Sequence, residues 1–402
     1  MQQPRQETLD ILQRLISFPT VSRNSNLDLI DWIRSYLRGR GFVTRLSYDE
    51  TSTKANLFAT IGPQKEGGLL LSGHTDVVPV DGQDWHVDPF KATITEGRVY
   101  GRGACDMKGF IASVLSRVTA IDPAHLDQPV HLAFTYDEEV GCKGVRTLLA
   151  DLKAVGIQPS ACIVGEPTDM RIVRAHKGSR NYRCCVRGKE AHASRTHEGV
   201  NAIQHAARVI GFIDMLSEQM SESPEAQSLF ETPFDTLQTS LVQGGLARNI
   251  VPRDCEFTFG YRYLPRTDPD GIFEQIRDFG VREVLPRMQR AAADADIRFD
   301  KLSDNPALSP SMNGELARFA LELNGAQGAG LGVSYMTEGG IYQQSGIPTI
   351  ICGPGSISQA HKPDEFVELS QLAHCERFIE SLWETQARPA TPIQNIMTNK
   401  EQ

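Results

Sequence analysis

Residues 69–79 read LLLSGHTDVVP. The opening run is short and continuously apolar, as in a strand buried on both faces. It runs straight into Gly73, His74 and, two residues on, Asp76. The same arrangement recurs along the chain. The strand-like run 130–136 (VHLAFTY) leads into Asp137, Glu138 and Glu139, and 161–164 (ACIV) leads into Gly165, Glu166 and Pro167. The run 347–352 (IPTIIC) passes through Gly353, Pro354 and Gly355 to His361, and 56–61 (NLFATI) adds a further strand. Helical stretches at 108–120 and 142–154 lie between these runs, the first preceded by Asp106 in GRGACDMKG. Nearer the start, Leu9, Leu12 and Ile16 fall at helical spacing. Asn26 is the expected N-cap of a helix with Ile30, Ile33 and Leu37 on one face, closed by Gly39 and Gly41. Buried strands alternating with helices predict an α/β fold: a mostly parallel central sheet flanked by helices.

The middle of the chain has a different order. Strands are expected at 180–187, 236–243, 254–263 and near 296–302, with helices over 199–218 and 270–288. That β-α-β-β-α-β succession describes a smaller α+β, ferredoxin-like sheet with its helices on one face. The expected organisation is a domain of residues 1–178 and 304–402 with a second domain, 179–303, inserted into it. The polar tail from Arg388 is expected to pack little.

The 402 residues are enough for two such domains. Hydrophobic residues at 40% and charged residues at 23% exclude a disordered chain. No run of 18 apolar residues exists, which excludes a membrane-spanning helix. The start MQQPRQETLDILQRL lacks a basic-then-apolar signal, so a cytoplasmic location is expected. Net charge is 41 − 50 = −9, which argues against a nucleic-acid partner. The eight cysteines form no C-x-x-C pair and are expected to be buried, reduced thiols.

The acids and histidines carry the chemistry. Taken singly, a histidine after a strand is a hydrogen-bonding residue and a loop carboxylate is a solvated one. Five such segments in one chain resist that reading, because sites in open α/β sheets form beyond the carboxyl ends of the strands. Imidazole and carboxylate suit zinc, and mixed sets of them recur in hydrolytic two-metal centres. His74, Asp106, Glu139, Glu166 and His361 are enough donors for two divalent ions that share one carboxylate. Asp76 is placed to accept the other ring N–H of His74, which would fix its tautomer. Glu138 is left over, as a general base beside a metal-bound water would be. The glycine-rich runs match no phosphate-binding loop. Ser194 and Ser356 have no triad partners in sequence. Histidines 86, 125, 131, 197, 205 and 374 are expected to be structural or exposed.

SGHTDVVP, GRGACDMKG, YDEEVG, GEPT, the AHAS stretch and GPGSISQAHKPDEF together resemble the acetylornithine deacetylase and succinyl-diaminopimelate desuccinylase family. These are co-catalytic zinc amidohydrolases related to carboxypeptidase G2. The likeness runs in order from about residue 8 to 385. It implies that Asp106 bridges two metal ions, that His74 and Glu166 complete one site, and that Glu139 and His361 complete the other. Zinc is the implied metal, with cobalt and manganese as alternatives. Asp76 is implied to orient His74, Glu138 to be the general base, and the Asp106–Met107 peptide to be cis. The inserted domain is implied to be a lid and dimerisation module. His192 would reach the active site of the partner in a homodimer, while Asn249 and Arg262 would grip a small N-acyl-amino-acid substrate. GVNAI at 199–203, TEGGIYQQSGIP at 337–348 and CGPGSISQAHKPDEF at 352–366 side with the acetylornithine branch. A desuccinylase, an acetylcitrulline deacetylase, a dipeptidase, and a non-catalytic binding protein on the same fold stay open as alternatives.

Overall fold

The computed structural model describes residues 3–226 and 228–386, so the tail from Arg388 lies outside the described residues. The chain divides into two compact units. His176–Ala307 and Val333–Met336 form the second, and the rest of the described chain forms the first. The second unit is thus longer at both ends than 179–303, and it takes in a short piece from beyond its carboxyl end.

The first unit is built on an eight-stranded sheet. At its centre Val130–Thr135, Leu69–His74, Ala161–Val164 and Thr349–Ile351 lie side by side and parallel. Every residue of these four strands is buried, as expected where helices cover both faces. The parallel arrangement stops there. Ala55–Ile61 joins antiparallel on one side and carries Val43–Tyr48, while Val173–His176 joins antiparallel on the other. A small sheet that the apolar runs did not announce pairs Phe366–Glu368 with Arg98–Tyr100 and Thr93–Thr95.

Two glycines allow the helix Gly109–Arg117 to lie close to this sheet. A Cβ on Gly73 would meet the Met107 methyl at 2.9 Å, and one on Gly165 would enter the Phe110 ring at 2.0 Å. The helix Leu27–Arg38 buries Leu29, Ile30, Ile33 and Leu37, as its spacing predicts. Asn26 does not cap it through its side chain. Its amide instead bonds Ala55 and the Thr75 hydroxyl, and so ties the helix start to the strands. Chain reversal falls to Gly41, at φ 87°.

The second unit is a four-stranded antiparallel sheet in the order Thr236–Gly244, Asp254–Tyr263, Gly178–Arg187, Asp296–Asn305. Burial alternates along Gly178–Arg187 and Asp254–Tyr263, the signature of a sheet packed on one face. The covered face meets Ala206, Val209 and Ile213 of the helix Ala202–Ser221 and Ile276 of Pro269–Asp278. All eight cysteines are free thiols, and Cys185 alone is partly exposed.

His131, on a central strand, shows how burial sets protonation. Its Nδ1 faces the Thr60 hydroxyl at 2.8 Å and its Nε2 faces the Gly67 carbonyl at 3.0 Å. Burial pushes the imidazole down to about 4, against the hydrogen bond to Gly67. Below the ordinary value of about 6.5 the unfolded chain binds a proton that the folded chain refuses until about 4, so stability is lost as pH falls through that window. The Tm advantage of wild type over His131→Gln should therefore shrink between those pH values. A gap that stays constant with pH would contradict it.

Candidate metal centre

The four parallel strands end together, and each delivers its acidic or imidazole residue to the same end of the sheet. His74 closes Leu69–His74. Asp137, at φ 55°, turns the chain after Val130–Thr135 so that Glu138 and Glu139 follow. Glu166 stands two residues beyond Ala161–Val164. Asp106 lies in the tight turn before Gly109–Arg117, and the Asp106–Met107 peptide is cis. His361 arrives from the loop after Thr349–Ile351 with a left-handed backbone at φ 65°, which is uncommon for a residue with a Cβ and concentrates at functional sites.

These side chains meet. His74 Nε2 is 3.0 Å from Asp106 Oδ1 and 3.8 Å from Glu166 Oε1. His361 Nε2 is 3.3 Å from Asp106 Oδ2 and 3.0 Å from Glu139 Oε2. Asp106 therefore touches both imidazoles, one with each oxygen, as a shared carboxylate would. His74, Glu138 and Glu166 hold donor atoms within 4.8 Å of one another, and so do His74, Asp106 and Glu139. Glu138 thus sits in the cluster itself. His361 lies at its open side, with a side chain 54% exposed against 1% for His74.

Asp76 plays a different part from the one its spacing suggests. The atom nearest His74 Nδ1 is the Asp76 main-chain oxygen, at 2.9 Å, whereas its carboxylate is 3.6 Å away. The carboxylate accepts the Ser22 hydroxyl at 2.6 Å and the backbone N–H groups of Glu138 at 3.1 Å and Glu139 at 3.3 Å. It latches the loop that presents both glutamates.

Electrostatics explains the rest. Burial pushes the Glu138 and Glu166 carboxyls far above the usual range, with Glu139 and Asp106 adding to it. Burial acts the same way on Asp106, but hydrogen bonds from His361 and His74 outweigh it and hold that group well below the usual carboxylate range. Hydrogen bonds to Asp106 and Glu139 lift His361 to about 10.

Glu338 was not singled out from sequence. It stands in TEGG, a run quoted above only for its likeness to a branch of the family. It is 1% exposed, and burial raises it to about 7 against the opposing pull of the nearby Thr135 and Ser72 hydroxyls. Cys142, read as an inert thiol, lies with its sulfur 3.4 Å from Glu138 Oε1 and donates to it. Packing of distant segments brings Glu338 there, whereas the turn in which the Cys142 N–H donates to the Glu138 carbonyl at 2.9 Å brings Cys142.

Asp76, Asp106, Glu138, Glu166 and Glu338, all buried, and the partly buried Glu139 crowd around two imidazoles. Buried carboxylates need partners, and two imidazoles do not balance six acids. Divalent cations would balance them, and the nitrogen and oxygen donors suit zinc. The residues fit a metal centre.

His192, Asn249 and Arg262 belong to the second unit. His192 is exposed, and its Nδ1 accepts the Ser194 N–H at 3.3 Å and lies 2.8 Å from the Ser194 hydroxyl, which leaves Nε2 as the free ring donor. The Ala193 N–H donates to the Asn249 carbonyl at 3.0 Å, so His192 and Asn249 share one end of the sheet. Arg262 stands opposite Thr236 and Ser179, at the other end of the hairpin from the Gly244–Cys255 pair. At about 3.3 Å per residue that is roughly 23 Å of strand. One copy of the unit does not bring Arg262 to His192 and Asn249.

Comparison with known proteins agrees with this architecture. Residues 70–385 match the model of peptidase family M20/M25/M40. An acetylornithine deacetylase of Pasteurella multocida is 34% identical over 367 residues, spanning 89% of this chain and 92% of that protein. An M20-family metallo-carboxypeptidase of Sulfolobus solfataricus superposes with a TM-score of 0.74 at 18% identity, over 95% of this chain and all of that one. A dinuclear metal-binding M20 peptidase of Bacillus subtilis gives 0.66 at 16% identity, over 94% and 96%. These two likenesses concern the fold.

Asp76→Ala removes the latch under Glu138 and Glu139. Zinc affinity, read by competition with a chromophoric chelator, should fall about 10–100-fold, as when partners behind a ligand are lost. Wild-type affinity in this variant would show that the loop holds itself.

Proposed function

Because the chain belongs to peptidase family M20/M25/M40, we propose that it hydrolyses N2-acetyl-L-ornithine to L-ornithine and acetate, using two zinc ions. Hydrolysis of an amide bond follows from the family. The acetylated substrate rests on the curated relatives, which match over nine-tenths of the chain, and on the branch-like runs at 199–203, 337–348 and 352–366. The observation that carries the chemistry is the contact of Asp106 with both His74 and His361 while Glu138 stands beside them bonded to neither.

In this reading Asp106 is shared by both metals, His74 and Glu166 hold one, and Glu139 and His361 hold the other. Bound ions would polarise the amide carbonyl and make water acidic enough to attack near neutral pH. Glu138 takes the proton of the attacking water and returns it to the departing amine. Burial raises the Glu138 carboxyl and so favours its protonated form, the form it takes between receiving the proton of water and returning it to the amine. The Asp76 carbonyl keeps the Nδ1 hydrogen on His74 and leaves Nε2 for the metal.

The spread of residues in the second unit supports a shared site. His192 and Asn249 would come from one subunit of a dimer and Arg262 from the other. The free Nε2–H of His192 would donate to the developing oxyanion. The guanidinium fork of Arg262 would hold the substrate carboxylate.

Three measurements test this. Glu138→Gln should keep its metal content and lose at least the roughly 10²–10⁴-fold of rate that a general base supplies; near-wild-type activity would refute the assignment. Inactive His192→Ala and Glu138→Gln homodimers, mixed until subunits exchange, should regain activity through one intact composite site, whereas demonstrated exchange without recovery would overturn the shared site and leave His192 acting within its own chain or only structurally. Assayed side by side, kcat/KM should be higher for N-acetyl-L-ornithine than for N-acetyl-L-citrulline or N-succinyl-diaminopimelate; the reverse order would leave the chemistry standing and overturn the substrate.

A further inference from the structure

Two motif residues have no task in that mechanism: Arg102 in GRGACDMKG and Glu365 in HKPDEF. Their side chains are each 1% exposed and pair at 2.7 Å. A buried ion pair is a poor source of stability compared with apolar packing, so its use lies in the geometry it fixes.

That geometry is specific. Glu365 Oε1 accepts the backbone N–H of Cys105 at 2.9 Å and of Asp106 at 3.0 Å. Its Oε2 accepts the Gly103 N–H at 3.1 Å and Arg102 Nη1 at 2.7 Å. One carboxylate therefore takes donors from the whole turn that presents Asp106. Arg102 also donates to the Lys362 carbonyl at 3.4 Å and to Gln83 Oε1 at 2.5 Å. Gln83 Nε2 in turn donates to the His361 carbonyl at 2.8 Å. The network joins the Asp106 turn to the loop of His361, whose left-handed backbone needs such support.

We propose that Glu365, with Arg102 and Gln83, is a positioning device that sets the spacing between Asp106 and His361 and thereby the affinity of the centre for its second metal ion. The inference rests on reading those two residues as ligands. An ionised carboxylate is acceptor-only and meets four donors here. Glutamine has the same shape, but whichever way its amide turns, an NH2 confronts two of them. Aspartate is one methylene too short to reach all four.

The test is titration of the metal-free full-length protein with zinc against a chromophoric chelator. Glu365→Gln should weaken the second ion about 10–100-fold. Gln83→Ala, a partly exposed loop change that leaves the buried pair in place, should weaken it less and in the same direction. Glu376→Gln is the control for general destabilisation. That buried acid accepts the Arg5 N–H at 2.9 Å and the Thr8 hydroxyl, and its loss should lower Tm without changing either zinc affinity. Asp106→Ala tests the underlying ligand reading, which fails if this variant still binds two ions as wild type does. If Asp106→Ala loses zinc while Glu365→Gln binds both ions with wild-type affinity, the positioning role is overturned. Should Glu365→Gln not fold, wild-type affinities in Gln83→Ala overturn it equally.

Discussion

Glu138, Glu139 and Glu166 are held together because the parallel strands that carry them end beside that of His74, and the turn before Gly109–Arg117 brings Asp106 to the same place. Carboxylates buried this closely repel one another and resist ionisation. Two histidines offset part of that, while burial holds the Glu338 carboxyl up at about 7. Burying acids this closely costs the fold, and divalent cations held there would offset that cost. The surrounding construction can be understood as a means of keeping the acids in place.

Two carboxylates outside the proposed ligand set do much of that work. Asp76 gathers Ser22 and the amides of Glu138 and Glu139, and Glu365 gathers the amides of Gly103, Cys105 and Asp106. Each converts a loop, which would otherwise move, into a fixed presentation of ligand atoms. Chemistry by metal and base depends on such fixity, because small displacements cost large factors in rate. His361 alone of the proposed ligands is left half-open, which gives a substrate a side from which to approach.

The second unit needs no charge of this kind. Its core is a one-faced sheet under helices, and the residues proposed to touch substrate lie at opposite ends of one hairpin. A single copy cannot gather His192, Asn249 and Arg262, so a second copy becomes a requirement of the proposed chemistry. The acidic centre lies in the first unit and the proposed substrate-binding residues in the second.

Much of this was legible in the residues. Continuously apolar runs ending in acids and histidines identified the strands, the sheet end and the proposed ligands, because burial on both faces and chemistry beyond the carboxyl end both leave local marks. The alternating strands of the second unit were legible for the same reason. What leaves no local mark escaped. Asn26 occupies a capping position, but its amide is used on a strand; the Asp76 carbonyl lies nearer His74 than its carboxylate does; Glu338 and the Arg102–Glu365 pair act across hundreds of residues of chain. Sequence by itself determined which groups are present and which element carries each one. Only the tertiary structure decided which atom of each group faces which partner, because hydrogen-bond geometry and burial depend on packing between segments that are distant along the chain.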